Sequence, residues 1–557
     1  MAPRTLTGVG VGRGLVLGPV AVARPAIALP PQESATPGDL ERVTAAFHAV
    51  AADLQARADA AEGTLAEVLG ATAQMAEDPA LLGDVEQRIG SGTGPAHAVH
   101  EAVEQVCEMF TAVGGYMAER VTDLRSVKDR VIARVLDAPE PGLGALEVPS
   151  VVVAEDLSPA DTSALDLDKV LGIVTEQGGP TGHTAIIAGQ LGLPCLVRVA
   201  GVTELTDGTV VVVDAAAGTV TVDPDEALAQ QVTERRAAAE RLATDTAPGA
   251  TSDGHRVQLL ANIGTAADAE RAALTAVEGV GLFRTEVLFL EQQTAPTVED
   301  QLATYTAVLR SFAGRKVVVR TIDAGADKPL AFAQQSVEEN PALGVRGYRL
   351  VRTLPQLLAD QLTALGRAQE ETGAELWVMA PMIATPTEAA DFAAAARAAS
   401  LKTVGVMVEV PAVALRCADV LAEVDFVSLG TNDLAQYTMA TDRLRGELSD
   451  LLDMWQPAVI DLVAATADGG KSEGKPVGVC GESASDPLMA LVLTGLGVTS
   501  LSMSPAAVPA VRAALRGHTL ARCQEIAAAA RAARTAPEAR AAALALTSAE
   551  VRDLLGL

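Results

Sequence analysis

The stretch TEQGGPTGHTAIIAGQLGLP places His183 after a strand-like run and a Gly-Gly-Pro turn, at the start of an apolar helical segment. Gly178, Gly179 and Gly182 let backbone amides and a large substrate approach closely, and a helix N-terminus favours an added phosphate. Neutral imidazole can attack phosphorus through Nε2 and form a phosphoramidate that remains a good donor. His183 is therefore a candidate phosphoryl acceptor, although taken alone it also reads as a turn histidine bonded to backbone. A second set of reactive types lies downstream. Arg284, Arg320 and Arg443 offer forked donors that match phosphate and carboxylate oxygens, a geometry lysine does not reproduce. Glu409 and Asp433 follow adjacent strand-like runs, so their carboxylates can converge on one hard cation such as Mg2+; solvated loop ends are the bland alternative. Cys480 carries a thiol with an ordinary pKa of about 8.5, mostly protonated at neutral pH and able to deliver a proton. Cys107, Cys195, Cys417 and Cys523 are expected to be buried structural thiols.

These residues need elements to hold them. From His255 onward eight short apolar runs each precede a helical stretch: VQLLAN, EGVGLFR, KVVVRTI, ELWVMAP, TVGVMVE, DFVSLGT, PVGVCGE and TSLSMSP. Eight such units are the pattern of a (β/α)8 barrel, in which strand C-termini carry the chemistry. Polar groups stand where the runs stop, at Asn262, Arg284, Arg320, Glu409, Asn432, Asp433, Cys480 and Ser504. Upstream, GVGVGRGLVLGPVAVA predicts one or two strands, and PSVVVAED, KVLGIVTE, CLVRVAG and TVVVVD predict more. Between them, from about Gly38 to Leu136, Ala, Leu and Val recur at helical spacing with breaks at AEDPA and SGTGP, so two antiparallel helix pairs are expected. The Ala-rich run after Pro224 predicts a long connecting helix. The expected fold class is α/β multidomain, an α/β domain with a helical insert followed by the barrel.

At 557 residues the chain is long enough for three or four domains. Its hydrophobic share of 49% with only 3% aromatics means that Ala, Val and Leu build the core. Asp and Glu number 71 against 42 Lys and Arg, a formal charge of -29 that disfavours nucleic acid and anionic membrane but suits a basic protein partner. Five dispersed cysteines indicate neither a disulfide framework nor a zinc knuckle. Arg13 and Pro19 interrupt the apolar N-terminal stretch, and no run is long enough for a membrane span, so a cytoplasmic protein without membrane insertion is expected.

GGPTGHTAIIA resembles the phosphohistidine signature of enzyme I of the bacterial phosphoenolpyruvate-dependent sugar phosphotransferase system. MAEDPAL and YMAERVTDLRSVKDRV resemble that family's domain for binding the small phosphocarrier HPr. GVGLFRTEVLFL, RTIDAGADKPL, EENPALGVRGYR, VGVMVEVPAV, SLGTNDLAQYTMATDR and VGVCGESASDP resemble its barrel, in the family's order and over nearly the whole chain. The resemblance implies His183 as acceptor and Cys480 as proton donor to the enolate carbon. It implies Arg284, Arg320, Arg443, Asn432 and Asp433 as phosphoenolpyruvate ligands, and Glu409 with Asp433 as Mg2+ ligands. Lys328 and Arg346 are implied at or beside the substrate, and Thr162 as a hydrogen-bonding partner of the histidine. It further implies domains at 1–30 with 140–224 (phosphohistidine), 31–139 (HPr-binding insert), 225–254 (linker helix) and 255–557 (barrel), and a homodimer through the barrel. Gly182 and Gly189 depart from the family pattern, the latter where Arg is frequent, as do Leu444, Arg445 and the GESAS segment. A dikinase-type relative would need a nucleotide-binding domain, for which too little chain precedes His183. A phosphoenolpyruvate-binding sensor conflicts with the presence of His183 and Cys480. A paralogue of enzyme I feeding a non-sugar regulatory phosphorelay stays open.

Overall fold

The computed structural model describes residues 4–11, 14–24, 27–31, 34–60, 64–113, 120–143, 146–157, 161, 169–179, 184–185, 188, 193–215, 217–290, 292, 294–325, 330, 332, 338–443 and 445–557. They form two compact units, Met1–Arg236 and Ala237–Leu557.

The first unit is built on eight strands: β1 (Arg4–Thr7), β2 (Val9–Val11), β3 (Leu15–Val22), β4 (Ser150–Ala154), β5 (Val170–Thr175), β6 (Cys195–Val197), β7 (Val210–Asp214) and β8 (Thr219–Val222). Their order is β1-β8-β7-β3-β4-β5-β6-β2. The opening stretch from Gly8 to Ala23 supplies β2 and β3, two strands as expected, and β1 precedes it. β3 to β6 run parallel in the middle of the sheet. All five residues of β4, SVVVA, are buried, as a strand covered on both faces requires.

Between β3 and β4 the described residues form five helices: α1 (Asp39–Ala60), α2 (Thr64–Ala76), α3 (Pro79–Gly90), α4 (Pro95–Val113) and α5 (Val121–Val135). Their apolar faces share one core that includes Phe47, Leu54, Leu69, Val99 and Val131. The AEDPA break is an N-cap: Asp78 accepts from the Ala80 and Leu81 amides at 2.8 and 3.1 Å, and Pro79 occupies the first helical position. Among the described residues five helices stand where two pairs were expected, and the first long run divides between Ala60 and Thr64. A further helix, α6 (Glu226–Ala243), meets the expected connecting helix closely, and the boundary between the two units falls within it.

The second unit is a closed, all-parallel barrel of β9 (Gln258–Ile263), β10 (Gly279–Arg284), β11 (Lys316–Arg320), β12 (Leu376–Ala380), β13 (Thr403–Val408), β14 (Phe426–Leu429), β15 (Val477–Val479) and β16 (Ser500–Met503). β16 pairs with β9 from Ser500↔Gln258 to Met503↔Ala261 and closes the ring. All eight expected runs are barrel strands. Leu282, Val318, Met379, Met407, Phe426 and Cys480 pack inside the barrel, and a larger apolar layer joins the strands to the outer helices.

Lys316 opens β11 at the opposite end of the barrel from the strand C-termini. It is 7% exposed, donates to Gln258 Oε1 at 2.6 Å and lies 4.5 Å from the centre of the Trp377 ring. Burial pushes its ammonium pKa down to about 8, with Glu375 and Glu278 pulling back. A cation harder to hold in the folded state than in the unfolded one penalises folding fully below the folded pKa, and the penalty fades as pH rises toward the unfolded value of about 10.4. Lys316→Met is therefore expected to raise stability at pH 7 by up to about 2–3 kcal/mol, with the gain shrinking from pH 8 to 10. Urea unfolding at several pH values tests this, and a pH-independent difference would count against it.

Candidate active site at the barrel mouth

Paired strands β10 and β11 align Arg284 with Arg320 at their C-terminal ends. Arg284 is exposed and makes no ion pair with another described residue. Arg320 is 6% exposed and donates through Nη2 to Glu286 Oε1 at 2.6 Å, while Nη1 lies 3.0 Å from Asp323 Oδ2. Arg346 Nη2 reaches both oxygens of Asp323 at 3.2 Å, and its Nη1 reaches Asp433 Oδ1 at 2.9 Å. Arg443 Nη1 lies 3.6 Å from the other oxygen of Asp433. The result is a continuous chain of alternating charge, Glu286, Arg320, Asp323, Arg346, Asp433 and Arg443, drawn from the loops after β10, β11 and β14. Burial opposes the charge on Arg320 and Arg346. Their carboxylate neighbours more than offset it and push both guanidinium pKa values above the ordinary range. The Nε of Arg320 is buried without a hydrogen-bond partner among the described residues, which leaves a donor available to an incoming anion.

Glu409 follows β13 and is 1% exposed. Its Oε2 accepts from the Met382 amide at 2.7 Å, with Met382 held at φ 58°. Burial, then the charges of Asp433 and Asp323, push its carboxyl up to about 8, against the pull of Arg320 and the Met382 amide. Gly430 leaves room for it: a Cβ there would stand 2.7 and 2.8 Å from Glu409 Cγ and Oε1. At Gly347, φ +56°, a Cβ would meet that of Met382 at 2.9 Å, so the loop carrying Arg346 can close on Met382 only with glycine.

Asn432 lies in the helix Thr431–Thr438, is exposed, and accepts through Oδ1 from the Glu482 amide at 3.3 Å. Cys480 follows β15 and is 3% exposed. Its amide donates to Leu429 O at 3.1 Å, its carbonyl accepts from Asn262 Nδ2 at 3.1 Å, and its Sγ lies 3.5 Å from Leu429 O. Chiefly burial pushes the thiol up to about 11. Glu409 adds to the rise, and Ser428, Arg320 and Arg284 pull back. Below the loops, buried Gln361 donates to Thr285 Oγ1 and Tyr305 OH, each at 3.0 Å, and accepts from the Ile322 amide at 2.9 Å. Thr285 in turn donates to Arg320 O at 2.8 Å. This polar support fixes the β10 and β11 loops from behind.

The structure thus brings Arg284, Arg320, Arg346, Glu409, Asn432, Asp433, Arg443 and Cys480 to the C-terminal end of the barrel. It also adds Glu286 and Asp323, which the sequence reading passed over although both lie inside FRTEV and RTIDAG. Asking what neutralises a buried arginine would have found them. Arg346, implied at or beside the substrate, is paired with Asp323 and Asp433, so among the described residues of the mouth carboxylates accompany the buried arginines. His183, Thr162, Lys328, Gly182 and Gly189 lie outside the described residues. In their vicinity, Thr184 is buried and donates to Leu157 O at 3.0 Å. Arg198, at φ 60°, donates through Nε to Gly178 O at 3.0 Å.

A parallel barrel whose strand C-termini interleave arginines with carboxylates around a protonated thiol is an enzyme site for a small anion. Sequence profiles identify its class: "PEP-utilising enzyme, PEP-binding domain" matches residues 238–520, "PEP-utilising enzyme, mobile domain" 146–218, and "PEP-utilising enzyme, N-terminal" 7–120. The chain is 51% identical over 556 residues to the phosphoenolpyruvate-protein phosphotransferase of Streptomyces coelicolor, covering 98% of this chain and 100% of that one. It is 40% identical to that of Haloferax volcanii, covering 92% and 94%, and 37% identical to that of Bacillus subtilis, covering 80% and 81%. The chain belongs to the phosphoenolpyruvate-protein phosphotransferase family, enzyme I of the sugar phosphotransferase system.

Proposed function

We propose that this chain transfers the phosphoryl group of phosphoenolpyruvate to His183 and then to a histidine of an HPr-type phosphocarrier, releasing pyruvate as the first step of the sugar phosphotransferase system. The observation that carries this reading is the alternating charge chain at the barrel mouth, with the unpaired Arg320 donor and exposed Arg284 beside a protonated Cys480. Arg284, Arg320, Asn432, Asp433 and Arg443 hold the phosphate and carboxylate, with Arg346 and Lys328 supporting. Neutral Nε2 of His183 attacks phosphorus in line as the P–O bond to the enolate breaks, and positioning and electrostatics supply most of the rate. Cys480 then gives its proton to the enolate carbon and yields pyruvate. Thr162 tunes the basicity of His183 through a hydrogen bond.

Mg2+ suits the donor set. Glu409 is buried near Asp433 and Asp323; burial first, and then those two charges, raise its pKa, and a hard cation beside it would favour the ionised form. Glu409 and Asp433 would hold it, leaving its other positions to substrate oxygens and water. When bound, the ion neutralises charge on the phosphate.

The relay requires residues 1–30 with 140–224 to act as a phosphohistidine domain, 31–139 as the HPr-docking insert, 225–254 as the linker helix and 255–557 as the substrate barrel. The His183 domain visits barrel and carrier in turn. Among the described residues no helix is long and apolar enough to cross a membrane; action in the cytoplasm and a homodimer through the barrel are part of the proposal. Incubation with Mg2+ and phosphoenolpyruvate labelled in its phosphate is expected to give acid-labile, base-stable label that is absent from His183→Ala and passes to HPr. An unlabelled wild type at saturating substrate would sink the reading. Label that forms but is refused by HPr would favour a different carrier.

A further inference from the structure

The helical insert joins the sheet at a neck where the chain departs and returns. Arg24 and Gly142 pair there, amide to carbonyl in both directions, at 2.9 and 3.0 Å. Seated on this neck is Arg130, on α5, 6% exposed. Its Nη2 donates to Asp161 Oδ1 at 2.6 Å, its Nη1 to Glu140 Oε2 at 2.9 Å and its Nε to Ser126 Oγ at 3.4 Å. Glu140 is clasped from its other oxygen by Arg134 Nε at 2.7 Å, and Arg134 also binds Asp53 of α1. Gly142, at φ +100°, makes the seat: a Cβ there would lie 2.6 Å from Asp161 Oδ1. A buried guanidinium with carboxylates from two segments outside its helix is costly to assemble and costly to break, so it holds those segments in one register.

Asp161 is followed in sequence by Thr162. Four residues before Asp161, Leu157 donates its amide to Asp156 Oδ1 at 2.9 Å and accepts through its carbonyl from Thr184, the residue after His183 in sequence, at 3.0 Å. We propose that the Arg130–Asp161 pair is a strut that registers the carrier-docking insert against the His183 loop, making Arg130 a positioning residue for phosphoryl transfer to the carrier. This rests on the reading of His183 and the insert given above. A carrier docked on the helices must present its histidine in line with the phosphorus on His183. A small error in register is enough to slow such a step by about 10–100-fold, while docking itself and charging by phosphoenolpyruvate make no such demand on the neck.

The test uses the full-length protein carrying Arg130→Gln, Asp161→Asn or both, with Arg130→Lys as the conservative variant. Rapid-quench transfer from the phosphorylated protein to HPr is expected to slow at least tenfold more than labelling by phosphoenolpyruvate, with the affinity for HPr unchanged. The double variant should be no worse than the more severe single one, and the lysine should restore part of the rate. Hydrogen exchange is read in parallel: Arg130→Gln should accelerate exchange in peptides covering 157–162 and 184–188 while α5 stays protected. Equal slowing of both steps, or additive effects of the two substitutions, would overturn the strut. If the wild type is charged but does not pass label to HPr, the proposed carrier is wrong, and unchanged exchange at 157–162 still overturns the strut.

Discussion

Replacing Arg320 by Met is expected to slow labelling of His183 by phosphoenolpyruvate by about 10²–10³-fold and to cost the barrel about 3–5 kcal/mol. Both effects have one origin. Arg320 is the link that joins Glu286 to Asp323, and both carboxylates are 2–3% exposed. Removing the guanidinium takes a donor from the substrate and takes one buried cation from Glu286 and Asp323. The two consequences separate on further variants. Arg320→Lys keeps the charge but not the fork, so stability should largely return while labelling remains at least tenfold slow. Arg284→Met, at an exposed position without an ion pair among the described residues, should lose labelling with little change in the unfolding midpoint. Wild-type labelling by Arg320→Met would remove the arginine from the substrate site. Loss of activity only in parallel with loss of folded protein would reduce it to a structural element.

The barrel was readable before any coordinates because its strands are uninterrupted apolar runs ending in polar groups. A parallel strand buried on both sides has that signature, and KVVVR and TVGVMV display it. The candidate site was readable to the extent that its residues stand at the strand ends: Arg284 and Arg320 close β10 and β11, and Glu409 and Cys480 directly follow β13 and β15. The ion-pair chain was not. Arg346 and Asp433 are 87 residues apart, and neither periodicity nor a strand end predicts that a loop after β11 will place a guanidinium against the helix after β14. Such pairing is a tertiary consequence of closing the barrel mouth. Burial was the other hidden quantity. Gln361, a polar residue of the helix Pro355–Thr372, is fully buried and holds three backbone and side-chain partners behind Arg320. The neck pair Arg130–Asp161 was hidden for a related reason, since its two members are 31 residues apart and on different segments.

Charge balance at the mouth explains how an acidic chain binds a trianionic substrate without a bare basic cleft. Each buried arginine is assembled with carboxylates that keep it charged, so the guanidinium forks stand preorganised and need not be desolvated when substrate arrives. The carboxylates are not idle counterions, for Asp433 and Glu409 are also the proposed cation ligands. A cation entering beside Asp433 would compete with Arg346 and Arg443 for its oxygens, and in doing so would release guanidinium donors toward phosphate. Substrate and cation are thereby expected to bind with mutual dependence.

Cys480→Ala is expected to lower steady pyruvate formation by about 10²–10⁴-fold, the range for loss of a positioned general acid. Phosphoryl exchange between phosphoenolpyruvate and His183 should partly survive, because that step breaks the P–O bond without protonating carbon. Cys480→Ser preserves the volume beside Leu282, Met379 and Met407 and should be nearly as impaired, which separates proton donation from packing. The pH profile discriminates further. An exposed thiol loses its proton around pH 8.5, whereas burial and the Glu409 charge raise Cys480 to about 11. The acid form is thus the populated one throughout the working range, and Cys480 should impose no alkaline decline on pyruvate formation between pH 7 and 9.5. A decline centred near 8.5 in the wild type that disappears in Cys480→Ser would mean that the thiol is not shielded as the barrel interior demands. Unchanged turnover in Cys480→Ala would assign the proton to another donor. The same shielding predicts slow alkylation by iodoacetamide, since the thiolate is the reactive species and is scarce at pH 8. Protection that weakened when Glu409 was made neutral would tie the thiol's acidity to the carboxylate beside it.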